Sequence, residues 1–127
     1  MNYLLDTHTV LWYMGDAPNL PTITKEIIND NRNGIFVSSI SLWETAIKFN
    51  LGKMKSNLTL DGFLDKIERS DFNVLQVKNE HLRRLLAVPF IHKDPFDRLL
   101  VSTALVENLT IITTDSNIQR YDVPWIW

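Results

Sequence analysis

Tyr3-Leu4-Leu5-Asp6-Thr7, at the head of the chain, is a short apolar run that stops on a carboxylate. Consecutive apolar residues without helical spacing suit a strand buried on both faces, and such strands belong to parallel sheets covered by helices. Thr7 to Met14, with Gly15 behind it, reads as a short helix. The same figure returns near the other end, where Ile111-Ile112-Thr113-Thr114 closes on Asp115.

The residues between repeat the alternation. Leu20, Ile23, Ile27 and Ile28 have helical spacing, with Pro21 near the first turn. Asn33-Gly34 breaks that helix, and Ile35-Phe36-Val37 predicts a second strand. Ser38 to Asn50 reads as a helix stopped by Gly52. Leu60, Phe63, Leu64 and Ile67 mark an amphipathic helix. Phe72 to Val77 is a third strand candidate, and Leu82, Leu85 and Leu86 mark a short helix ended by Pro89. Pro95 opens a helix running to about Glu107, with Asn108 as its C-cap. Thr110 to Ile112 makes the fourth strand and Val123 to Trp127 a short fifth. Strand and helix alternating from end to end predict an α/β fold with a mainly parallel sheet.

The 127 residues fit one domain, expected to span 1–127, and 45% hydrophobic residues can supply its core. No apolar stretch reaches the roughly 20 residues that cross a bilayer, and Asp6 interrupts anything like a signal peptide. There is no cysteine, hence neither a disulfide framework nor a thiolate metal site. A cytoplasmic protein is the plain expectation. No repeat or low-complexity segment is present; the one loose stretch, Gly52 to Thr59, carries Lys53 and Lys55.

In such folds ligands bind outside the carboxyl ends of the strands. Asp6 and Asp115 fall there directly. Glu44, in Ser41-Leu42-Trp43-Glu44, follows the second strand, and Asp97 lies at a helix start in Asp94-Pro95-Phe96-Asp97-Arg98. Four carboxylates meeting at one sheet edge repel one another unless a cation sits among them. An oxygen-only donor set without Cys or His suits a hard cation, Mg²⁺ or Mn²⁺. A water activated in that field can attack a phosphodiester, so hydrolysis of a nucleic-acid backbone is the expected chemistry. Setting the four acids aside turns the formal charge of −2 into +2, which permits a nucleic-acid substrate without indicating one.

Each acid also has a purely structural explanation. Asp6 can cap the helix at Thr7, and Ser41-x-x-Glu44 matches a capping box. Asp94 can cap the Pro95 helix with Asp97 in its first turn, and Asp115 can cap a turn through Ser116 and Asn117. Caps do not require the four sites to converge, however, and Asp94 already supplies the cap that would otherwise explain Asp97. Thr113 could hold a water beside Asp115. Arg98 could meet a phosphate or pair with Asp94 or Asp97. Lys48, Lys53 and Lys55 could follow an RNA backbone, although a solvated face explains any one of them. Trp12, Trp43, Trp125 and Trp127 read as core or interface residues. His8, His81 and His92 show no ligand spacing and read as surface or packing residues, His8 being the one near Asp6.

Leu4-Leu5-Asp6-Thr7-His8, Ser38 to Lys48, His92-Lys93-Asp94-Pro95-Phe96-Asp97-Arg98-Leu99-Leu100 and Ile112-Thr113-Thr114-Asp115 together resemble PIN-domain proteins, in particular the VapC-type toxins of bacterial type II toxin–antitoxin pairs. The resemblance covers nearly the whole chain in the right order, and its most specific block is Asp94 to Arg98. It implies a three-layer α/β/α sandwich, Mg²⁺- or Mn²⁺-dependent endoribonuclease activity, an antitoxin partner that blocks the site, and commonly a homodimer. By position it makes Asp6, Glu44, Asp97 and Asp115 the acidic tetrad. Asp6 and Asp97 would be direct metal ligands, Asp115 a third contributor, and Glu44 the residue that orients or deprotonates water. Two alternatives remain. One is an inactive PIN-like binding module, against which the intact tetrad argues. The other is a haloacid-dehalogenase-like phosphatase, which needs a second Asp where His8 stands.

Overall fold

The computed structural model describes residues 1–127. Five strands form one sheet: β1 (Asn2–Leu5), β2 (Gly34–Ser38), β3 (Asn73–Leu75), β4 (Thr110–Ile112) and β5 (Trp125–Ile126). Their order is β3-β2-β1-β4-β5 and every pairing is parallel. Parallel neighbours need a crossover, commonly a helix. Here α1 (Thr7–Met14) and α2 (Thr22–Asn29) join β1 to β2, and α3 (Ser39–Asn50) and α4 (Leu60–Arg69) join β2 to β3. Then α5 (Asn79–Arg84), a 3-10 turn at Leu85–Ala87 and α6 (Pro95–Glu107) lead to β4, and α7 (Ser116–Gln119) leads to β5.

The period of two along the strands feeds two cores. Tyr3, Leu5 and Ile112 join Val10, Leu11, Met14 and Phe63 on one face. Leu4 and Ile111 join Leu100, Val101, Ala104 and Ile118 on the other. Leu4, Leu5, Ile111 and Ile112 are completely buried, each such side chain contributing roughly 1.5–3 kcal/mol. The expected α/β architecture is therefore present, with its sheet wholly parallel.

Side-chain oxygens start five helices. Asp6 accepts from the Thr9 N–H, Ser38 from Ile40, Thr59 from Gly62, Asp94 from Phe96 and Asp97, and Asp115 from Asn117 and Ile118. At its far end α6 stops on Asn108, which takes the left-handed conformation expected of a C-cap (φ 56°).

Three sequence expectations need correction. β3 is shorter than Phe72–Val77 because it is an edge strand that pairs only with β2. The Leu82-Leu85-Leu86 pattern does not mark a buried face: the helix tightens after Arg84, Leu82 and Leu86 face solvent, and His81 is the buried residue. Ile23 is likewise exposed, and α2 is buried through Thr24 and Ile28. No helix is long and apolar enough to cross a membrane.

Candidate active site

Strand order runs outward in both directions from the β1–β4 pair, so the crevice beyond their carboxyl ends is the sheet's topological switch point. Asp6 follows β1 directly, and its N–H extends the ladder to the Ile112 carbonyl at 3.2 Å. Asp115 follows β4 by three residues. Glu44 reaches the crevice from α3, the helix after β2, and Asp97 from the first turn of α6. The two helices are braced by Trp43 and Phe96, whose rings meet edge to face at 5.4 Å one residue away from Glu44 and Asp97 respectively.

Hydrogen bonds link the acids from both sides of β1. The Thr113 hydroxyl donates to Asp6 Oδ2 and accepts from the Asp115 N–H at 2.9 Å. Asp6 Oδ1 accepts from the Thr9 N–H at 2.8 Å. The Thr7 hydroxyl donates to Glu44 Oε1 at 2.6 Å, and Lys48 Nζ lies 2.9 Å from Glu44 Oε2. Asp97 Oδ2 meets His92 Nε2 at 3.0 Å, and Asp115 Oδ1 caps α7. Both oxygens of Asp6 and of Glu44 are thus engaged. Asp97 and Asp115 each keep one oxygen without a protein donor.

Burial pushes the Asp6 carboxyl above the ordinary aspartate range, against the opposing bonds from Thr113 and Thr9 and the charge of His8. Asp97 is pushed up to about 7, first by burial and then by the charges of Asp94, Asp115 and Glu44, with the His92 bond pulling the other way. Asp97 therefore feels two other acids of the tetrad at once.

The residues singled out by sequence divide as follows. Asp94 caps α6, as expected, which leaves Asp97 free of that role. Glu44 belongs to no capping box: Ser38 caps α3 and Ser41 lies inside its first turn, so the capping explanation for Glu44 falls away. Arg98 pairs with neither Asp94 nor Asp97. Its guanidinium is buried, donates to the Val88 carbonyl at 2.7 Å and lies 3.8 Å from the Phe90 ring centre, pinning the loop before α6. Thr113 ties two acids together.

His92 was missed. When Asp97 is ionised it can only accept, so His92 Nε2–H donates to it and Nδ1 accepts from the Tyr121 hydroxyl at 2.8 Å. Spacing gave no signal, because His92 lies before the helix that carries Asp97 and its second partner comes from beyond α7.

Whether these residues fit a divalent cation turns on the donors. All are oxygens, and at Asp97 burial is compounded by repulsion from three neighbouring acids that the His92 bond only partly offsets, a deficit that positive charge would remove. As they stand, no three acids form a group that could hold one ion, so Asp6, Asp97 and Asp115 do not converge as a ready triad. Mg²⁺ typically takes only one or two carboxylates and keeps several waters. Asp97 and Asp115, each with an open oxygen, fit that requirement, with Asp6 and Glu44 acting around them.

A wholly parallel sheet whose switch point gathers acids from two central strands and two crossover helices defines an α/β protein with an acidic centre. Its family is also shown: the model of the PIN domain matches residues 3–124, and the chain belongs to the PIN-domain family. No curated protein matches it in sequence. Among solved structures, it is similar to a chain of VapBC2 from Rickettsia felis bound to a promoter DNA fragment (TM-score 0.74, 22% identity, 99% of this chain and 98% of that one). It is also similar to DNA-bound VapBC from Salmonella typhimurium (0.69, 18%, 99% and 97%) and to FitAcB from Neisseria gonorrhoeae (0.66, 17%, 98% and 96%).

Proposed function

We propose that this PIN-domain protein is a Mg²⁺- or Mn²⁺-dependent endoribonuclease that works in the cytoplasm as the toxin of a type II toxin–antitoxin pair. The observation that carries the chemistry is Asp97, held near a pKa of about 7 by burial and by Asp94, Asp115 and Glu44, at the switch point of the sheet. The toxin role rests on the resemblance and on the VapBC complexes among similar structures. An antitoxin and a second copy of the chain are the expected partners. Leu82, Leu86 and Phe90, large apolar side chains in contact with solvent, are the kind of surface that partners cover.

A bound cation would supply charge neutralisation at the phosphate and a water acidic enough to attack at neutral pH. Asp97 and Asp115 would hold it through their open oxygens. Asp6, fixed by Thr9, would hold Thr113 and through it the backbone of Asp115. Glu44, positioned by Thr7, would orient the attacking water and take its proton, and Lys48 would keep Glu44 in place. The water oxygen would bond to phosphorus as the bond to one ribose oxygen breaks; Glu44 would take the water's proton and the departing ribose oxygen would take one from solvent water.

The test is cleavage of single-stranded RNA by purified protein with Mn²⁺ or Mg²⁺. Asp6→Asn and Asp97→Asn should each lower the rate by on the order of 100-fold or more, the scale of losing one electrostatic contributor to catalysis. Equal cleavage by wild type and both variants would remove the assignment.

A further inference from the structure

Beside the acidic centre lies a hollow of about 270 Å³ lined by the apolar Trp12 and Met54 and by His8, Lys48, Lys53 and Lys55. No acidic side chain contributes to its walls. Two of its members belong to the acid centre's surroundings: His8 stands two residues after Asp6 and lowers its pKa by its charge, and Lys48 pairs with Glu44 at 2.9 Å. Away from that end, Met54 packs against the core and fixes the segment, while its neighbours Lys53 and Lys55 stay exposed, with no carboxylate within salt-bridge distance. A second hollow of about 250 Å³ shares Leu11, Trp12 and Lys55 with the first, so the depression continues past the indole, where its one acid, Asp16, is paired with Lys25 at 3.3 Å. Trp12 is half-buried, and its ring lies 5.8 Å from that of His8 and 5.9 Å from that of Trp127.

We propose that this groove is the substrate track of the site: single-stranded RNA leaving the acidic centre lies along it, with phosphates on Lys53 and Lys55 and a base against Trp12 and His8. This rests on the nuclease reading above and adds which strand form is bound and by which residues. Lysines without counter-charges are a standing demand for anions in a chain whose formal net charge is −2. Cations alternating with aromatic faces are how single strands are held without sequence preference. Splayed bases of a single strand can lie against an aromatic face that the paired bases of a duplex do not reach. The groove also begins where the scissile phosphate would be, since Lys48 and His8 are common to both.

The experiment uses a fluorescein-labelled twelve-nucleotide single-stranded RNA of mixed sequence. Binding is followed by fluorescence anisotropy across salt concentrations, with chelator present so that nothing is cut. Lys53→Ala/Lys55→Ala is compared with wild type and with Arg83→Ala/Arg84→Ala, a control pair of equal charge, likewise exposed, that lines neither hollow. Loss of two phosphate contacts should lower the slope of log affinity against log salt by about 1.4 and raise Kd several-fold at 100 mM salt, the control staying within about two-fold. With Mn²⁺ added, the groove variant should cut the RNA with a higher KM and unchanged kcat. If wild type cuts RNA and the groove variant binds and cuts like wild type, the groove assignment is wrong and the nuclease reading survives. If wild type neither cuts nor binds RNA, but these lysines are required to bind a peptide from the neighbouring gene's product, both readings fall and the groove is a peptide site.

Discussion

Asp97 is the residue at which structure and chemistry are most tightly joined. Its folded pKa of about 7 stands above the ordinary value of 3.8. Between those two values the folded, cation-free protein binds a proton that the unfolded chain has released, so this group's stabilising contribution is full below about pH 4 and lost as pH rises through 7. Asp97→Asn keeps an acceptor for His92 and removes the charge. In the presence of chelator the variant should be more stable than wild type by about 1–3 kcal/mol at pH 8, with the difference fading towards pH 4. Mg²⁺ should narrow the difference at pH 8 by stabilising wild type alone. Urea melts at both pH values decide it: a gap of the same size at pH 4 and pH 8 would show that charge is not its cause. The candidacy of Asp97 was legible because Asp94, three residues earlier, accounts for the cap. The contact with His92 was not, since Tyr121, which holds the other side of that imidazole, is remote in sequence.

At the scale of elements, boundaries that rest on local chemistry were readable. Asp6, Asp94 and Asp115 each accept backbone N–H groups where a helix begins, and Asn108 ends α6 in the left-handed region. Reading failed where a tertiary contact outweighed the pattern. Around α5 the leucines suggested a buried face, yet the helix is anchored by His81, which accepts the Lys78 N–H at Nδ1 and places Nε2 2.7 Å from Glu107 on α6. That bond, followed by the charge of Lys78, holds the Glu107 carboxyl below its ordinary range. A lowered folded pKa means stability that is present above the unfolded value of 4.5 and lost as pH falls through the folded one. Glu107→Ala strands a buried imidazole N–H and should cost about 1–3 kcal/mol at pH 7. The cost should shrink below about pH 4, where wild type loses the carboxylate too. Denaturant midpoints of the two proteins at pH 7 and pH 3 measure this, and a pH-independent gap would place the effect in packing instead.

For the whole molecule, alternation of strand and helix revealed a parallel sheet but not its order, because crossovers of similar length can step to either side. The order decides function here: β1 lies beside β4, which puts Asp6 beside Thr113 and Asp115. That the four acids reach one edge of the sheet is thus a property of the chain's path, and any cutting activity there is separable from a biological role as a toxin. Induced expression in a bacterial host should arrest growth, the arrest should be absent for Asp97→Asn at equal protein level, and co-expression of a small neighbouring open reading frame should restore growth and yield a co-purifying complex. Arrest by both proteins would point to a burden of the folded chain, its exposed Leu86 and Phe90 included, instead of to RNA cleavage. RNA cleavage in vitro with no arrest in the cell would leave a nuclease whose acidic centre serves RNA processing, with the toxin role withdrawn and the site chemistry intact.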